Sequence, residues 1–236
     1  LVDILKPGGP RLFFNNVTPE DVKDIVEAYL VNDTVPPHKV IGSLGERALE
    51  GVPDLHSLPG MKHQQRIALR NAGHIAPNDV YQYIAQGGYG ALNKALSEME
   101  PGDVLKEVTD SGLRGRGGAA FPTGIKWSFL ARSPGPLKYI LCNCEEGDPG
   151  AYNDKGILES DPHMLLEGMV IAGYATGATY GYVFIRHGHE GPIQKIERAI
   201  ADAYELGLLG SNILGSELSF DIEVSLVGES YVAGEE

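Results

Sequence analysis

The second half of the chain alternates between strand-like and helix-like segments, and this alternation limits the possible folds more than any other feature. Residues 138–142 and 180–186 are short apolar runs, and residues 220–226 alternate apolar with polar side chains. Residues 161–176 form a long apolar segment opened by Asp-Pro, and apolar residues recur at helical spacing over 193–204. Such strand–helix order implies right-handed crossovers. We therefore predict an α/β fold with a Rossmann-like, mostly parallel sheet covered by helices.

The first half of the chain predicts a small α+β segment, then irregular chain and short helices. Residues 11–15 are strand-like, and Thr18 before Pro19 is a suitable helix N-cap. One apolar helix face follows, at Val22, Ile25, Val26, Tyr29 and Leu30. Residues 38–60 are rich in Gly, Pro and charge without sustained periodicity, which predicts a linker. Further short helices are predicted at about 61–72, 78–86, 89–99 and 102–110.

Charge and cysteine content exclude several classes of protein. The 236 residues carry 32 acidic against 19 basic side chains, a net charge of −13 that disfavours a nucleic-acid or anionic-membrane binder. There is no apolar run of about 18 residues and no signal peptide. The two cysteines, Cys142 and Cys144, are too close for an unstrained disulfide. We therefore expect a reducing, cytoplasmic location, or a peripheral one on the cytoplasmic side of a membrane complex.

The most specific motif runs from Ser111 to Gly124, S-G-L-R-G-R-G-G-A-A-F-P-T-G, and fits no helix or strand rule. Closely spaced glycines allow the backbone to present successive N–H groups to an anion, and Arg114, Arg116 and Lys126 add positive charge. The motif precedes the first clear strand and lacks G-K-[ST], so it is neither a Rossmann fingerprint nor a Walker A loop. It predicts a phosphate or dinucleotide loop of another design; a flexible loop with solvated arginines is the alternative.

Two further loops follow predicted strands. Residues 143–150, N-C-E-E-G-D-P-G, come after the first, and residues 228–236, G-E-S-Y-V-A-G-E-E, after the third. Ligands of open α/β sheets collect beyond the carboxyl ends of strands, so both loops are expected at one site. For the first of them alone, a simple polar turn is an equally good interpretation.

The pairs Cys142/Cys144 and His187/His189 lack the spacing of a structural zinc site. We interpret Cys142 as a core residue, Cys144 as a loop residue and the histidines as polar strand-end residues. No metal ligand is predicted in this chain.

The segments SGLRGRGGAAFPTGIKWSF, NCEEGDPGAYNDKGILESDPHMLLEGM and GESYVAGEE together resemble the flavoprotein subunit of respiratory complex I. That family includes the diaphorase-type subunits of NAD-linked hydrogenases, formate dehydrogenases and electron-bifurcating complexes. The resemblance covers roughly residues 60–236. It implies an NADH-dehydrogenase or NAD-reducing subunit in which FMN and NAD(H) share one cavity, a hydride moves between them, and single electrons pass to a [4Fe–4S] cluster.

The resemblance also implies site residues. For FMN they are Gly115, Arg116, Gly117, Gly118 and Lys126 in the first loop, Asn143, Glu145, Glu146 and Gly147 in the second, and Tyr231, Gly234 and Glu235 in the third. For NAD(H) they are Phe121 and Phe129 at the adenine, Asp148 at the ribose and Glu236 at the nicotinamide. Glu236, the residue assigned to the catalytic site, would position the nicotinamide or tune the flavin rather than transfer a proton. A carboxylate at Asp148 would accept ribose 2′-hydroxyl bonds and repel a 2′-phosphate, favouring NAD over NADP.

Some family features are absent. The family's N-A-D-E-S-E-P-G reads N-C-E-E-G-D-P-G here, which is closer to the soluble, multi-subunit NAD-linked complexes. The later ubiquitin-like region and C-x-x-C-x-x-C helical domain do not occur, and residues 10–37 resemble the end of a thioredoxin-like [2Fe–2S] domain. We therefore expect a chain truncated at both ends, with its cluster ligands elsewhere. The predicted domains are a ferredoxin-domain remnant at 1–37, a linker at 38–60 and the FMN- and NAD(H)-binding domain at 61–236.

The expected partners are iron–sulfur subunits of a hetero-oligomeric redox complex. Two alternatives stay open. One is a non-catalytic electron-transfer or assembly module with the same fold, and the other is a phosphate-binding metabolic enzyme without flavin.

Overall fold

The computed structural model describes residues 1–36, 39–45, 47 and 49–228. The chain divides into two compact units, Leu1–Arg66 and Ile67–Glu236, and each is described by itself. Within the described ranges, no helix has both the length and the apolar character needed to cross a membrane.

The first unit is a three-stranded antiparallel sheet with one helix packed against it. Strands β1 (Val2–Leu5), β2 (Arg11–Phe14) and β3 (Val40–Leu44) lie in that order. Helix α1 (Pro19–Val26) continues into a π-helical turn at Glu27–Val31, and a 3₁₀ turn follows at Leu55–Ser57. The core of this unit contains Leu12, Phe14, Ile25 and Tyr29.

The N-cap prediction for α1 is confirmed, whereas its predicted apolar face is only half buried. The Thr18 N–H donates to the Asp21 carboxylate at 2.7 Å, which fixes the first turn. Ile25 and Tyr29 are buried, but Val22, Val26 and Leu30 are exposed. Only part of the apolar stripe is therefore packed in the core of this unit.

Part of the segment predicted as a linker is a strand. Residues 40–44 pair with β2, and the boundary between the units falls after Arg66 rather than at residue 60. The short strand V-I-G-S-L contains Gly and Ser at buried positions, and for this reason its composition resembles a loop. Close packing favours glycine at position 42, because a Cβ there would lie 3.2 Å from the Pro53 carbonyl oxygen. The relation of residues 1–37 to a ferredoxin domain stays a prediction.

The second unit contains the predicted parallel sheet. Strands β4 (Tyr139–Cys144), β5 (Tyr180–Arg186) and β6 (Asp221–Val227) are adjacent and parallel, with Ile140, Gly181 and Ile222 in register. The helices are α2 (Val80–Ala85), α3 (Gly90–Glu98), α4 (Pro101–Asp110), α5 (Thr123–Arg132), α6 (Asn153–Ser160), α7 (Pro162–Thr176) and α8 (Glu190–Glu205). A 3₁₀ turn lies at Ile213–Gly215. The predicted fold class is confirmed. The helix predicted at 61–72 is wrong, since those residues form turns, and α6 was not predicted.

The crossover helices α7 and α8 bury one face of this sheet. Val183, Ile185 and Ile222 belong to the main core, together with Val170 from α7 and Ile196 from α8. Side chains at alternate positions, such as Tyr182 and Phe184, lie on the opposite face, where Tyr139 is exposed. The burial therefore has the strand period of two.

A buried polar cluster attaches α2 and α3 to α7. The carboxylate of Glu167 accepts hydrogen bonds from the Tyr83 hydroxyl and from the backbone N–H groups of Tyr89 and Leu92. His163, one turn earlier on α7, is 1% exposed, and its Nδ1 lies 2.9 Å from the Tyr89 hydroxyl. These bonds satisfy polar groups at the start of α3, which helps to hold the helices that precede the glycine-rich loop.

Candidate functional site

The glycine-rich loop connects α4 to α5 and is exposed from Ser111 to Phe121. Its base is closed by two hydrogen bonds, from Gly115 N to Phe121 O and from Thr123 N to Leu113 O, both 2.9 Å. Gly118 has a φ of +111°, a conformation that favours glycine. Within the described part of the chain, the backbone N–H groups of residues 116–120 donate to no protein acceptor. Successive unpaired N–H groups in a glycine-rich loop form a favourable site for an anion.

The cations of this loop have different roles. Arg114 donates to the Ala120 carbonyl oxygen at 3.1 Å, and Arg116 donates to the Arg114 carbonyl oxygen at 2.8 Å, so both guanidinium groups brace the loop itself. Lys126 is exposed in the first turn of α5, and among the described residues its ammonium makes no hydrogen bond or ion pair. Lys126 is therefore available to a ligand, whereas the arginines also have a structural function.

Gly124 differs from the other loop glycines. It is buried, and a Cβ at this position would lie 2.3 Å from Thr109 Oγ1 and 2.5 Å from Thr109 Cα. Gly117 and Gly118 have open space at the same place. Gly124 is therefore required for close packing of α5 on α4, and the glycines that could face a ligand are the earlier ones.

Two aromatic side chains lie together beside the loop. The rings of Phe121 and Phe129 have centroids 6.4 Å apart at an angle of 53°, and both side chains are exposed. Phe121 ends the glycine-rich loop and Phe129 lies on α5. Each exposed ring offers an apolar face on which a planar ligand can stack.

The second predicted loop begins where β4 ends, at the carboxyl edge of the parallel sheet. The Asn143 side-chain oxygen accepts from Glu145 N at 3.0 Å, and the Asp148 carboxylate accepts from Gly150 N at 3.0 Å. Arg186, the last residue of β5, donates to the Gly147 carbonyl oxygen at 3.3 Å. The loop is therefore held in a defined conformation, with the Asp148 side chain exposed.

Two glutamates of this loop have opposite surroundings. Glu145 Oε1 is buried and has no hydrogen-bond partner among the described residues. Both carboxylate oxygens of Glu146 accept backbone N–H groups at the start of α6, and this residue is 7% exposed. Burial alone would raise the pKa of Glu146, but the N–H donors of Lys155, Asp154 and Asn153 outweigh burial, so the pKa lies below its usual value. The predicted contact of Glu146 with FMN stays a prediction.

The cysteine pair lies on the core-facing side of β4. The Sγ atoms of Cys142 and Cys144 are 3.5 Å apart, and Cys144 is buried. The hydrogen bond to Cys142, together with burial, strongly raises the pKa of the Cys144 thiol, which keeps it protonated. Cys144 was predicted in a loop, but it is the last residue of the strand. Among the residues that the structure covers, no cluster of His, Cys, Asp or Glu is suited to a metal ion.

The third predicted loop follows β6. Tyr231, Gly234, Glu235 and Glu236 lie outside the described residues. The strand before the loop ends at Val227, whose carbonyl oxygen accepts from His187 N at 3.1 Å. The second and third loops thus start from the same edge of the sheet, as predicted from the parallel order.

The site residues form two groups in the described chain. One is the glycine-rich loop with Lys126, Phe121 and Phe129, and the other is the loop at residues 143–150. Both are positioned by elements that pack on α7. Sequence reasoning missed Arg186 and the capping role of Glu146. An Arg at the end of a buried-type strand was the only available signal for the first.

Comparison with known proteins identifies the family. Residues 108–236 match the sequence profile described as the Nuo51 FMN-binding domain, which is more than half of the chain. The chain belongs to the Nuo51 FMN-binding domain family. The match begins near the end of α4 and includes all three predicted loops.

Individual relatives agree with the Nuo51 assignment. The NADP-reducing hydrogenase subunit HndC of Solidesulfovibrio fructosivorans is 50% identical over 175 residues, which cover 74% of this chain and 35% of that protein. An NADH-quinone oxidoreductase subunit of Rhizobium meliloti (strain 1021) is 45% identical over 174 residues, which cover 72% of this chain and 40% of that protein. A crystal structure of an NAD⁺-reducing [NiFe]-hydrogenase in the H₂-reduced state has a TM-score of 0.56 and 29% identity, covering 74% of this chain and 27% of that one. The chain thus spans 35–40% of the length of these two curated relatives.

The residues of this Nuo51 domain fit an FMN. The glycine-rich loop supplies N–H groups without a described acceptor, with open space at Gly117 and Gly118, and Lys126 supplies a cation in the first turn of the helix that follows. The orphaned Glu145 Oε1 needs a hydrogen-bond donor, which flavin and ribityl groups carry. An iron–sulfur cluster does not fit, because such clusters are commonly held by about four cysteines and the sequence has 2.

Proposed function

We propose that this chain is the FMN- and NAD(H)-binding part of an oxidoreductase subunit that exchanges electrons between NAD(H) and iron–sulfur centres of a multi-subunit complex. The observation that carries the proposal is the glycine-rich loop, whose N–H groups at residues 116–120 are unpaired among the described residues and lie close in sequence to Lys126. The backbone N–H groups of Arg116, Gly117 and Gly118, with the side chains of Arg116 and Lys126, hold the FMN phosphate, and Gly115 closes the base of the loop. When bound, FMN accepts the hydride and releases electrons one at a time.

The second loop orients the flavin and the cosubstrate. Asn143, Glu145 and Gly147 form hydrogen bonds with the flavin, and the orphaned Glu145 Oε1 supports this role. Phe121 and Phe129 contact the adenine with their exposed ring faces. Tyr231, Gly234, Glu235 and Glu236 complete the site in the role that the family resemblance gives them. None of these residues is required to transfer a proton, because hydride transfer needs alignment of the two rings.

The partners and location are part of the same proposal. The relatives are named as subunits of NADH-quinone oxidoreductase and of an NADP-reducing hydrogenase, which supports a hetero-oligomeric assembly. We place the protein in the cytoplasm or at the cytoplasmic side of a membrane complex, where its thiols stay reduced.

The visible spectrum of the purified protein tests the flavin assignment. We expect absorption bands of bound FMN, or uptake of added FMN with quenching of its fluorescence, followed by bleaching when NADH is added without oxygen. Riboflavin, which lacks the phosphate, is the control and should bind at least ~10-fold more weakly, because it cannot use the N–H groups and Lys126. A protein that neither contains nor takes up FMN would refute the proposal.

The choice between NADH and NADPH tests Asp148. The relative named as NADP-reducing makes this choice an open question for the present chain. We expect Asp148→Ala to raise the KM for NADH and to lower the preference for NADH over NADPH by roughly 10- to 100-fold, because the ribose loses an acceptor and the 2′-phosphate loses a repelling charge. The measurement is kcat/KM with each cosubstrate and ferricyanide as acceptor. Glu159→Ala is the control; unchanged discrimination in Asp148→Ala would remove this assignment.

A further inference from the structure

Glu146 closes the second loop by capping a helix seven residues away. Its Oε1 accepts from the N–H groups of Asn153 and Asp154, and its Oε2 accepts from Lys155 N at 3.1 Å. The Lys155 ammonium also lies 3.6 Å from Oε2. These N–H groups belong to the first turn of α6, which has no intrahelical acceptor for them.

The residue at the ordinary N-cap position cannot perform this function. Tyr152 occupies that position, with φ −142° and ψ 29°, and its side chain forms no cap hydrogen bond. Helix N-caps are usually Ser, Thr, Asp or Asn, whose short side chains reach the second or third N–H group. Glu146 supplies the missing acceptor and places a negative charge at the positive end of the helix dipole.

The cap ties the loop to a rigid support. Leu158 of α6 is 1% exposed and belongs to the main core, so α6 itself is anchored. Arg186 holds the other part of the loop through the Gly147 carbonyl oxygen at 3.3 Å. Asp148 directly follows the two anchored residues, Glu146 and Gly147, and precedes α6, so it is positioned before any ligand binds.

We propose that Glu146 is a positioning residue, which fixes the Asp148 loop for the cosubstrate by capping α6, and that it does not bind FMN directly. The proposal rests on the proposed function for the identity of the cosubstrate. A direct flavin ligand would need a free oxygen lone pair and an accessible carboxylate. Glu146 is 7% exposed and uses both oxygens within the protein.

Hydrogen exchange measures the cap without any ligand or catalysis. In the intact native protein, with the subunits that copurify, we expect Glu146→Ala to speed amide exchange at Asn153, Asp154 and Lys155 by at least ~10-fold, because the capped turn opens locally. Glu146→Gln retains one acceptor oxygen and should give an intermediate rate. The matched control is Asp79→Ala, which removes the carboxylate that accepts from Tyr81 N and Gln82 N at the start of α2.

Cosubstrate affinity gives the second measurement. Glu146→Ala should raise the Kd for NAD⁺ and the KM for NADH by ~10-fold, with kcat and the FMN Kd within about twofold of the parent protein. Glu146→Gln should restore part of the affinity, and Asp79→Ala should leave both constants unchanged.

Three results would overturn this role for Glu146. They are unchanged exchange at residues 153–155, unchanged NAD⁺ affinity, or loss of FMN with NAD⁺ binding retained, which would indicate a direct flavin ligand. Failure of the proposed function has a different signature: the parent protein itself would bind neither FMN nor NAD⁺, while the exchange result would still report on the cap.

Discussion

Replacing Gly117 with valine should weaken FMN binding by about 100-fold or more while leaving the fold intact. Nothing lies within 4 Å of a Cβ at this position and its φ is not positive, so the protein alone has room for the side chain. The added methyl groups would cover the neighbouring N–H groups where the phosphate is expected to bind. FMN titration followed by flavin fluorescence measures the affinity, and thermal unfolding followed by Trp127, the only tryptophan, measures the fold.

Gly124→Ala is the matched control and should give the reverse outcome. Its Cβ would meet Thr109 at 2.3–2.8 Å, so the two helices must move apart, which costs about 1–3 kcal/mol of unfolding free energy. The melting temperature should fall, while FMN still binds to the folded fraction. If Gly117→Val binds FMN as tightly as the parent protein, the assignment of the phosphate to this loop is wrong.

The stability of the second unit should fall as the pH is lowered from about 7 to 4, in part because of His163. Burial lowers the pKa of His163 to about 4 and outweighs the opposing effect of the Asp202 charge, so the folded protein disfavours the charged imidazole. The unfolded chain takes up this proton near pH 6.5. Above pH 6.5 the imidazole is neutral in both the folded and the unfolded chain, and the free energy of unfolding is unaffected by this group. As the pH falls from 6.5 towards 4, the free energy of unfolding decreases by up to about 3 kcal/mol.

His163→Gln isolates this contribution from those of other groups. Tyr83 and Tyr89 surround the imidazole, and the raised pKa of Asp161, which is due mainly to burial, acts in the opposite direction over part of the range. Urea unfolding from pH 7 to 4, followed by Trp127 fluorescence, should show the parent losing more stability than the variant. Parallel curves would contradict a neutral, buried His163.

The parallel sheet could be predicted because its signals are local. Strand β5 occupies residues 180–186 as predicted, and α7 ends at Thr176, also as predicted. Their apolar runs and the Asp-Pro start belong to the segments themselves. The failures have equally specific causes. Strand β3 contains Gly42 and Ser43, whose burial depends on the pairing with β2, and residues 61–72 have helix-like composition but form turns.

The candidate site also has some features that could be predicted from the sequence and others that only the structure shows. The glycine-rich loop is recognisable from sequence because glycines and cations are concentrated within a few residues, and the structure adds that N–H groups 116–120 have no acceptor in the described chain. By contrast, the sequence does not distinguish Gly117 from Gly124. Only the approach of α4 shows that Gly124 is a packing glycine, whereas a Cβ at Gly117 would meet nothing within 4 Å.

The sequence by itself determined the fold class and the family, and it predicted the three loops proposed to form the site, because each depends on the order and spacing of neighbouring residues. Only the tertiary structure decided that Glu146 caps α6, that Arg186 holds Gly147 and that Gly124 packs against Thr109. The physical reason is that these roles depend on which groups meet after folding. Hydrogen-bond satisfaction and close packing are set by contacts between segments distant in sequence.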